Sequence, residues 1–237
     1  YYIDHNKINI FVCKECDIQF MNPQYYIDYL TEFYSHYKPA NAPENEQKSL
    51  DAWVSNIELF EKVRPEKGNL LDIGCGNGRS LVAAMSKGWK AEGYEIDSDL
   101  AKRVAVKVGV DVYAGDFTDI KWPQKHYDVV SMNHVIEHLK SPRQYLSVIS
   151  GILKDDGLLY IAMPNIHSFS SKSKFILEKL GLRRNKIGRY YDTGHHLFYF
   201  TPRSITRILS DNGYKIIEIG NCDTSIGVKA TIVQRLK

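Results

Sequence analysis

Residues 70–78 read Leu-Leu-Asp-Ile-Gly-Cys-Gly-Asn-Gly. Gly74, Gly76 and Gly78 let a backbone turn sharply and approach a ligand closely, as in dinucleotide-binding loops. Asp72, two residues ahead of them, changes the expected guest, because a carboxylate there repels a pyrophosphate and attracts an ammonium group. Glu95 follows 21 residues after Gly74, the spacing at which a nucleotide fold places an acid on the two ribose hydroxyls. Asp116 offers an acceptor for a base's amino group and Phe117 an aromatic face for its ring. Further on stand His134, Glu137 and His138, in a His-x-x-Glu-His string, and a second histidine pair, His195 and His196. An imidazole at a pocket mouth suits proton abstraction. His-x-x-Glu-His is also the spacing of a zinc-peptidase helix, but here it directly follows a strand at a nucleotide site, which argues against peptidase chemistry.

These residues need a scaffold. From Asn69 onward short apolar runs alternate with helical patterns. Strands are expected at Leu70 to Ile73, Lys90 to Ile96, Val110 to Ala114, Tyr127 to Met132, Gly157 to Met163, Lys215 to Gly220 and Ala230 to Arg235. Helices are expected at Arg79 to Lys87, Ser98 to Val108, near Arg143 to Leu153 and at Ser204 to Asn212, with Thr201-Pro202 as a helix start. The alternation implies an α/β fold: a doubly wound, mainly parallel, seven-stranded Rossmann-like sheet covered on both faces. Residues 1–48 lack the alternation and read as an N-terminal appendage with a tyrosine-rich stretch (Tyr25 to Tyr37) and a polar, linker-like run from Lys38 to Lys48. Residues 49–237, opening with a helix over Leu50 to Val63, form the main domain. Within it, residues 165–195 form an insertion, long enough to be functional.

The ordered set resembles the class I S-adenosylmethionine (SAM)-dependent methyltransferase family, over about Leu70 to Phe200. By that resemblance Asp72, Gly74, Cys75 and Gly76 form the loop around the methionine part of SAM, Glu95 holds the ribose, Asp116 and Phe117 the adenine, and Asn133 lines the donor pocket through its backbone. An NAD-dependent oxidoreductase fits less well, since Arg79 stands where the dinucleotide fingerprint needs a third glycine and Asp72 opposes a pyrophosphate.

Asn133-His-Val-Ile-Glu-His138 is similar to the post-fourth-strand motif of small-molecule and sugar methyltransferases. His134 is then the first candidate for general base, with Glu137 and His138 orienting it. Thr193 to Pro202 resembles the stretch that returns a histidine to the acceptor pocket in sugar methyltransferases, so His195 or His196 is a further candidate; His167 is a weaker one. Some members with a Glu-x-x-Glu-His string bind magnesium there. His134 in place of the first glutamate disfavours that ion, which prefers oxygen.

The chain has 237 residues, 43% of them hydrophobic, and a net charge of +3, enough for one α/β domain with additions and too little charge to announce a nucleic-acid binder. Between Ile166 and Asp192, seven bases oppose two acids, a local excess of five positive charges that leaves the remainder near −2. A basic lid suits an anionic acceptor, such as a nucleotide-linked sugar or a phosphorylated or lipid-linked glycan, and the lack of an aromatic–arginine platform argues against RNA. The expected activity is O-methylation of a sugar or other small acceptor in glycan or natural-product synthesis. A SAM-binding module without catalysis, or methylation of nitrogen, carbon or RNA, is the alternative.

Cys13 and Cys16, with Pro23 after them, look like half of the zinc ribbon that precedes such domains in bacterial sugar-type enzymes, although Asp17 stands where such knuckles often carry glycine. A structural zinc needs four ligands, so a second pair is expected upstream of Tyr1, with His5 a possible third ligand at unusual spacing. With no long apolar run, no export signal and no disulfide framework, a cytoplasmic protein is expected.

Overall fold

The computed structural model describes residues 9–22, 24, 43–181, 190–191, 194–221 and 228–235. The tyrosine-rich stretch, His5, Cys222 and the second half of the basic insertion lie outside the described residues.

Ten strands and six α-helices are described. In chain order they are β1 (Asn9–Val12), β2 (Gln19–Asn22), α1 (Pro43–Glu61), β3 (Asn69–Ile73), α2 (Arg79–Ser86), β4 (Lys90–Tyr94), α3 (Ser98–Val108), β5 (Val112–Tyr113) and β6 (Tyr127–Asn133). After these come α4 (Pro142–Ile152), β7 (Leu153–Pro164), α5 (Phe169–Lys179), β8 (Phe198–Tyr199), α6 (Pro202–Asp211), β9 (Tyr214–Asn221) and β10 (Val228–Arg235). A 3₁₀ turn, Ile136–His138, follows β6.

Seven strands form one sheet in the order β5-β4-β3-β6-β7-β10-β9. The pairs from β5 through β7 are parallel, and β10 runs antiparallel to both β7 and β9. The chain winds outward from β3 to β5 and then returns to β6 on the other side of β3. That reversal opens a crevice at the carboxyl ends of β3 and β6, where such sheets bind ligands. No described helix is long and apolar enough to cross a membrane.

Both faces of the sheet are covered, and the register shows why the strands read as continuous apolar runs. Leu71, Ile73, Val130, Met132, Leu159 and Ile161 join one core with Leu146 and Ile149 of α4 and Ile205 and Leu209 of α6. Their neighbours Leu70, Val129, Leu158 and Tyr160 join a second core with Ile57 and Phe60 of α1 and Leu81 and Ala84 of α2. Successive strand residues thus point to opposite cores.

Three boundaries differ from expectation. Helix α1 begins at Pro43, inside the run expected to be a linker; proline is well suited to a helix start, where its missing N–H costs no hydrogen bond. Strand β5 shrinks to Val112–Tyr113, pairing only with Gly93 and Tyr94 at the sheet edge. Strand β7 starts at Leu153, which pairs with Tyr127 before the register shifts.

The largest addition is a second, three-stranded sheet, β1-β2-β8. Gln19 and Phe20 pair antiparallel with Tyr199 and Phe198, and the Met21 amide donates to the Leu197 carbonyl at 3.0 Å. Met21 is wholly buried.

Candidate active site

The glycine loop after β3 is held at its root. Asp72 is buried, and its two oxygens accept from the Ser80 and Ser131 hydroxyls. Burial pushes its carboxyl up to about 6, against those two hydrogen bonds. Asp72 is thus 1% exposed and tied to α2 and β6 through the two serines, whereas its expected place was at the ligand.

The three glycines do different work. All have positive φ, 75° at Gly74, 53° at Gly76 and 79° at Gly78, which L side chains rarely adopt. A Cβ on Gly78 would lie 2.7 Å from Val104 and 2.9 Å from Val108, so this glycine lets α2 start close against α3. A Cβ on Gly74 would lie 2.6 Å from Val135, which brings the loop against the turn that carries His134 and Glu137. A Cβ on Gly76 would meet nothing within 4 Å. Gly76 faces open space.

Glu95 stands just past β4, and its carboxylate accepts from the Gly76 amide at 3.0 Å and the Asp97 amide at 3.3 Å. Burial raises its pKa although these amides oppose the rise. Each oxygen still has capacity for another donor. Asn133, the last residue of β6, has a buried Oδ1 without a hydrogen bond.

Two expected ligand side chains sit elsewhere. Phe117 is fully buried, stacked on Tyr145 at 4.7 Å and packed edgewise or tilted against Tyr94 and Trp122. Its ring is core and shows no free face to an adenine. Cys75 is buried in the core under α2, where burial drives its thiol far above the usual range, so only its backbone lies in the loop. Asp116 is exposed, but its Oδ1 caps Thr118, accepting from the amide at 2.8 Å and the hydroxyl at 2.7 Å.

The acceptor-side residues do converge. His134 has φ 55°, a sparsely populated conformation for a residue with a side chain. It persists because the His134 amide donates to Ala162 at 2.8 Å as β6 ends. The turn then places Glu137 Oε1 3.4 Å from His134 Nδ1 and 3.9 Å from His138 Nε2. Glu137 is 2% exposed. Burial disfavours its charge, but His134, His138 and His196 outweigh that and hold its pKa down at about 2. In return, burial of His134 works against its charge, and Glu137 overrides this to raise the imidazole above its usual value.

His195 and His196 reach the same place. The Leu197 amide donates to the Glu137 carbonyl at 2.9 Å, and His138 Nδ1 lies 3.1 Å from the His195 carbonyl. The rings of His138, His195 and His196 are 4.5–4.9 Å apart between centroids. Nothing in the sequence spacing announces this contact across 57 residues; it depends on β2, which holds β8.

A family described as "Methyltransferase domain" matches residues 44–219, well over half of the chain. The chain belongs to this methyltransferase family. The cofactor of these methyltransferases is SAM, and the open space at Gly76, the unfilled capacity of Glu95 and the orphaned Asn133 oxygen fit such a group. An uncharacterized protein of Methanocaldococcus jannaschii is 24% identical over 178 residues, covering 72% of this methyltransferase and 80% of that protein. The ubiquinone biosynthesis O-methyltransferase of Saccharophagus degradans is 27% identical over 113 residues, covering 45% and 48%. Among solved structures, the Burkholderia thailandensis 1,6-didemethyltoxoflavin-N1-methyltransferase, with bound 1,6-didemethyltoxoflavin and S-adenosylhomocysteine, superposes with a TM-score of 0.66. It is 14% identical and covers 100% of this chain and 99% of its own. That likeness is one of fold.

Cys13 and Cys16 sit in the β1–β2 turn. Cys13 and Ile18 share an amide–carbonyl bond of 2.9 Å, and Asp17 takes the left-handed conformation, φ 62°. Backbone amides of Cys16 and Glu15 lower the Cys13 thiol, while burial raises that of Cys16. Among the described residues no second pair of metal-ligating side chains stands beside them. His167 pairs instead with Asp17, at 3.5 Å. Helix α5 occupies the described part of the insertion and carries Lys172, Lys174 and Lys179, with none of its residues buried.

Proposed function

We propose that this methyltransferase transfers a methyl group to a hydroxyl of a sugar or another small, anionic acceptor in glycan or natural-product synthesis. SAM, when bound, supplies a methyl group activated on a sulfonium. Gly74, Gly76 and Asn133 would hold its methionine end, Glu95 its ribose, and Asp116 with the backbone beside Phe117 its adenine. Asp72 acts one step back, as a positioning residue that fixes the glycine loop through Ser80 and Ser131.

His134 takes the proton of the acceptor hydroxyl, and Glu137 orients the ring and stabilises the imidazolium that results. The observation that carries this reading is the pairing of His134 with a buried glutamate on a turn whose Val135 packs against Gly74. Donor loop and base are thereby held as one unit, which suits a displacement whose rate depends on alignment. His138, His195 and His196 line the acceptor side, and the lysines of α5 supply positive charge for an anionic acceptor. One relative is named for O-methylation in ubiquinone biosynthesis, and one structural neighbour holds a small molecule; both support a small acceptor. The Cys13–Cys16 turn belongs, in this reading, to an N-terminal appendage as half of a zinc knuckle.

The test is calorimetry with SAM and S-adenosylhomocysteine, followed by transfer of labelled methyl to a panel of sugar nucleotides, phosphorylated glycans and phenols. Binding of both ligands and labelling of a hydroxyl acceptor are expected. Binding without transfer to any acceptor makes the chain a binding module, and labelling confined to nitrogen overturns O-methylation.

A further inference from the structure

We propose that His138, His195 and His196 form a transition-metal site with an open coordination position on the acceptor side of the pocket. Each offers a ring nitrogen within 4.8 Å of the other two, close enough for modest ring movements to bring all three onto one ion at the usual 2.0–2.1 Å. The three come from two short segments held together by a backbone hydrogen bond, Leu197 to Glu137 at 2.9 Å, and by a side-chain one, His138 Nδ1 to the His195 carbonyl at 3.1 Å.

The second of these bonds also sets the chemistry. The Nδ1 proton of His138 is directed at a carbonyl, the arrangement by which metal-binding histidines are oriented, and Nε2 is then the nitrogen that would ligate. Nε2 lies 3.9 Å from Glu137 Oε1, and the same oxygen lies 3.4 Å from His134 Nδ1. Glu137 is buried and sets a negative charge beside the three rings, which favours a cation there.

The His138 and His195 rings lie 4.9 Å apart and nearly parallel, at 12°. Three imidazoles select zinc, cobalt, nickel or iron(II) over magnesium, which prefers oxygen. Three protein ligands leave a fourth position for water or an acceptor oxygen. This inference goes beyond methyl transfer, and metal binding is read without it.

The experiment is titration of the full chain, stripped with a chelator, with cobalt(II) in a Cys13→Ser/Cys16→Ser/Cys222→Ser background that leaves only the buried Cys75. One cobalt per chain is expected, with visible ligand-field bands and no near-ultraviolet sulfur-to-metal band. Zinc should displace it and magnesium should not. His195→Gln/His196→Gln should weaken binding by about a hundredfold or more, and His138→Gln by at least about tenfold, with circular dichroism unchanged. Absence of cobalt binding in that cysteine-depleted background, displacement by magnesium, or a folded double variant of undiminished affinity would overturn the site. Should the double variant fail to fold, X-ray absorption of the zinc-loaded cysteine-depleted protein decides: three imidazoles support the site and fewer refute it. Methyl transfer without metal refutes only a need for the ion, and metal binding without methyl transfer leaves the site standing while the enzymatic reading falls.

Discussion

Asp72 and Ser131 are register partners on the adjacent parallel strands β3 and β6, and the Ser131 hydroxyl donates to the Asp72 carboxylate. The bond ties the two strands whose carboxyl ends bound the ligand crevice, at the cost of a buried charge. Asp72 titrates at about 6 in the folded protein against 3.8 ordinarily, chiefly because of burial. Between those values the native state holds a proton the unfolded chain has lost. Stability therefore falls as pH rises through that interval, by on the order of 3 kcal/mol in all. Asp72→Asn should be more stable than the parent by about 1–3 kcal/mol near pH 7.5 and nearly equal to it near pH 4. Urea unfolding at the two pH values measures this; an equal difference at both would refute a buried, titrating Asp72.

His134→Ala should lower kcat by about 10²- to 10⁴-fold, the usual range for losing a general base, and leave the dissociation constant of SAM within about threefold. The base must be neutral to act, and Glu137 raises its pKa, so the rate should climb with pH through a limb above the ordinary histidine value. Glu137→Gln removes the charge that raises it, and the limb should move to lower pH. A pH–rate profile of both proteins settles the matter; an unmoved limb would detach His134 from Glu137.

Gly76→Ala and Gly78→Ala should part company. Both place a Cβ on a left-handed residue, a strain of about 1–2 kcal/mol. At Gly78 the methyl also drives into Val104 and Val108, adding about 1–3 kcal/mol of overpacking. Gly76 opens onto free space, so there the loss should fall on SAM affinity more than on unfolding. Thermal melting and calorimetry on the two variants give the comparison, and an equal loss of stability would contradict it.

Phe117→Leu tests the displaced aromatic ring. Its neighbours Tyr94, Trp122 and Tyr145 lose their ring contacts with it, at a cost of about 1–1.5 kcal/mol. SAM affinity should stay within about twofold. A large loss of affinity with unchanged stability would return the ring to the adenine site.

The parallel sheet was legible because apolar runs alternated with capped helices, each a local signal. The chemistry at Asp72 and Phe117 was less so. A carboxylate before a glycine loop reads as a ligand until it is seen buried against Ser80 and Ser131, eight and fifty-nine residues away. Phe117 follows an exposed Asp116 at a strand end and looks surface-bound, yet Trp122, five residues on, folds back over it, its indole donating to the Phe117 carbonyl at 2.9 Å. His138, His195 and His196 could each be nominated singly, but their meeting is set by a strand pairing that no local pattern encodes.

That pairing also imposes an order of assembly. Gln19 leaves the ribosome about 180 residues before its partner Tyr199, so the β1–β2 hairpin must wait, one edge unsatisfied, while the strands of the SAM-binding half are made and can already begin to fold. The strand that pairs with β7, β10, is made later still. A nascent chain halted short of Phe198 would carry the glycine loop, Glu95 and His134 but leave two edges bare, that of the hairpin and that of β7.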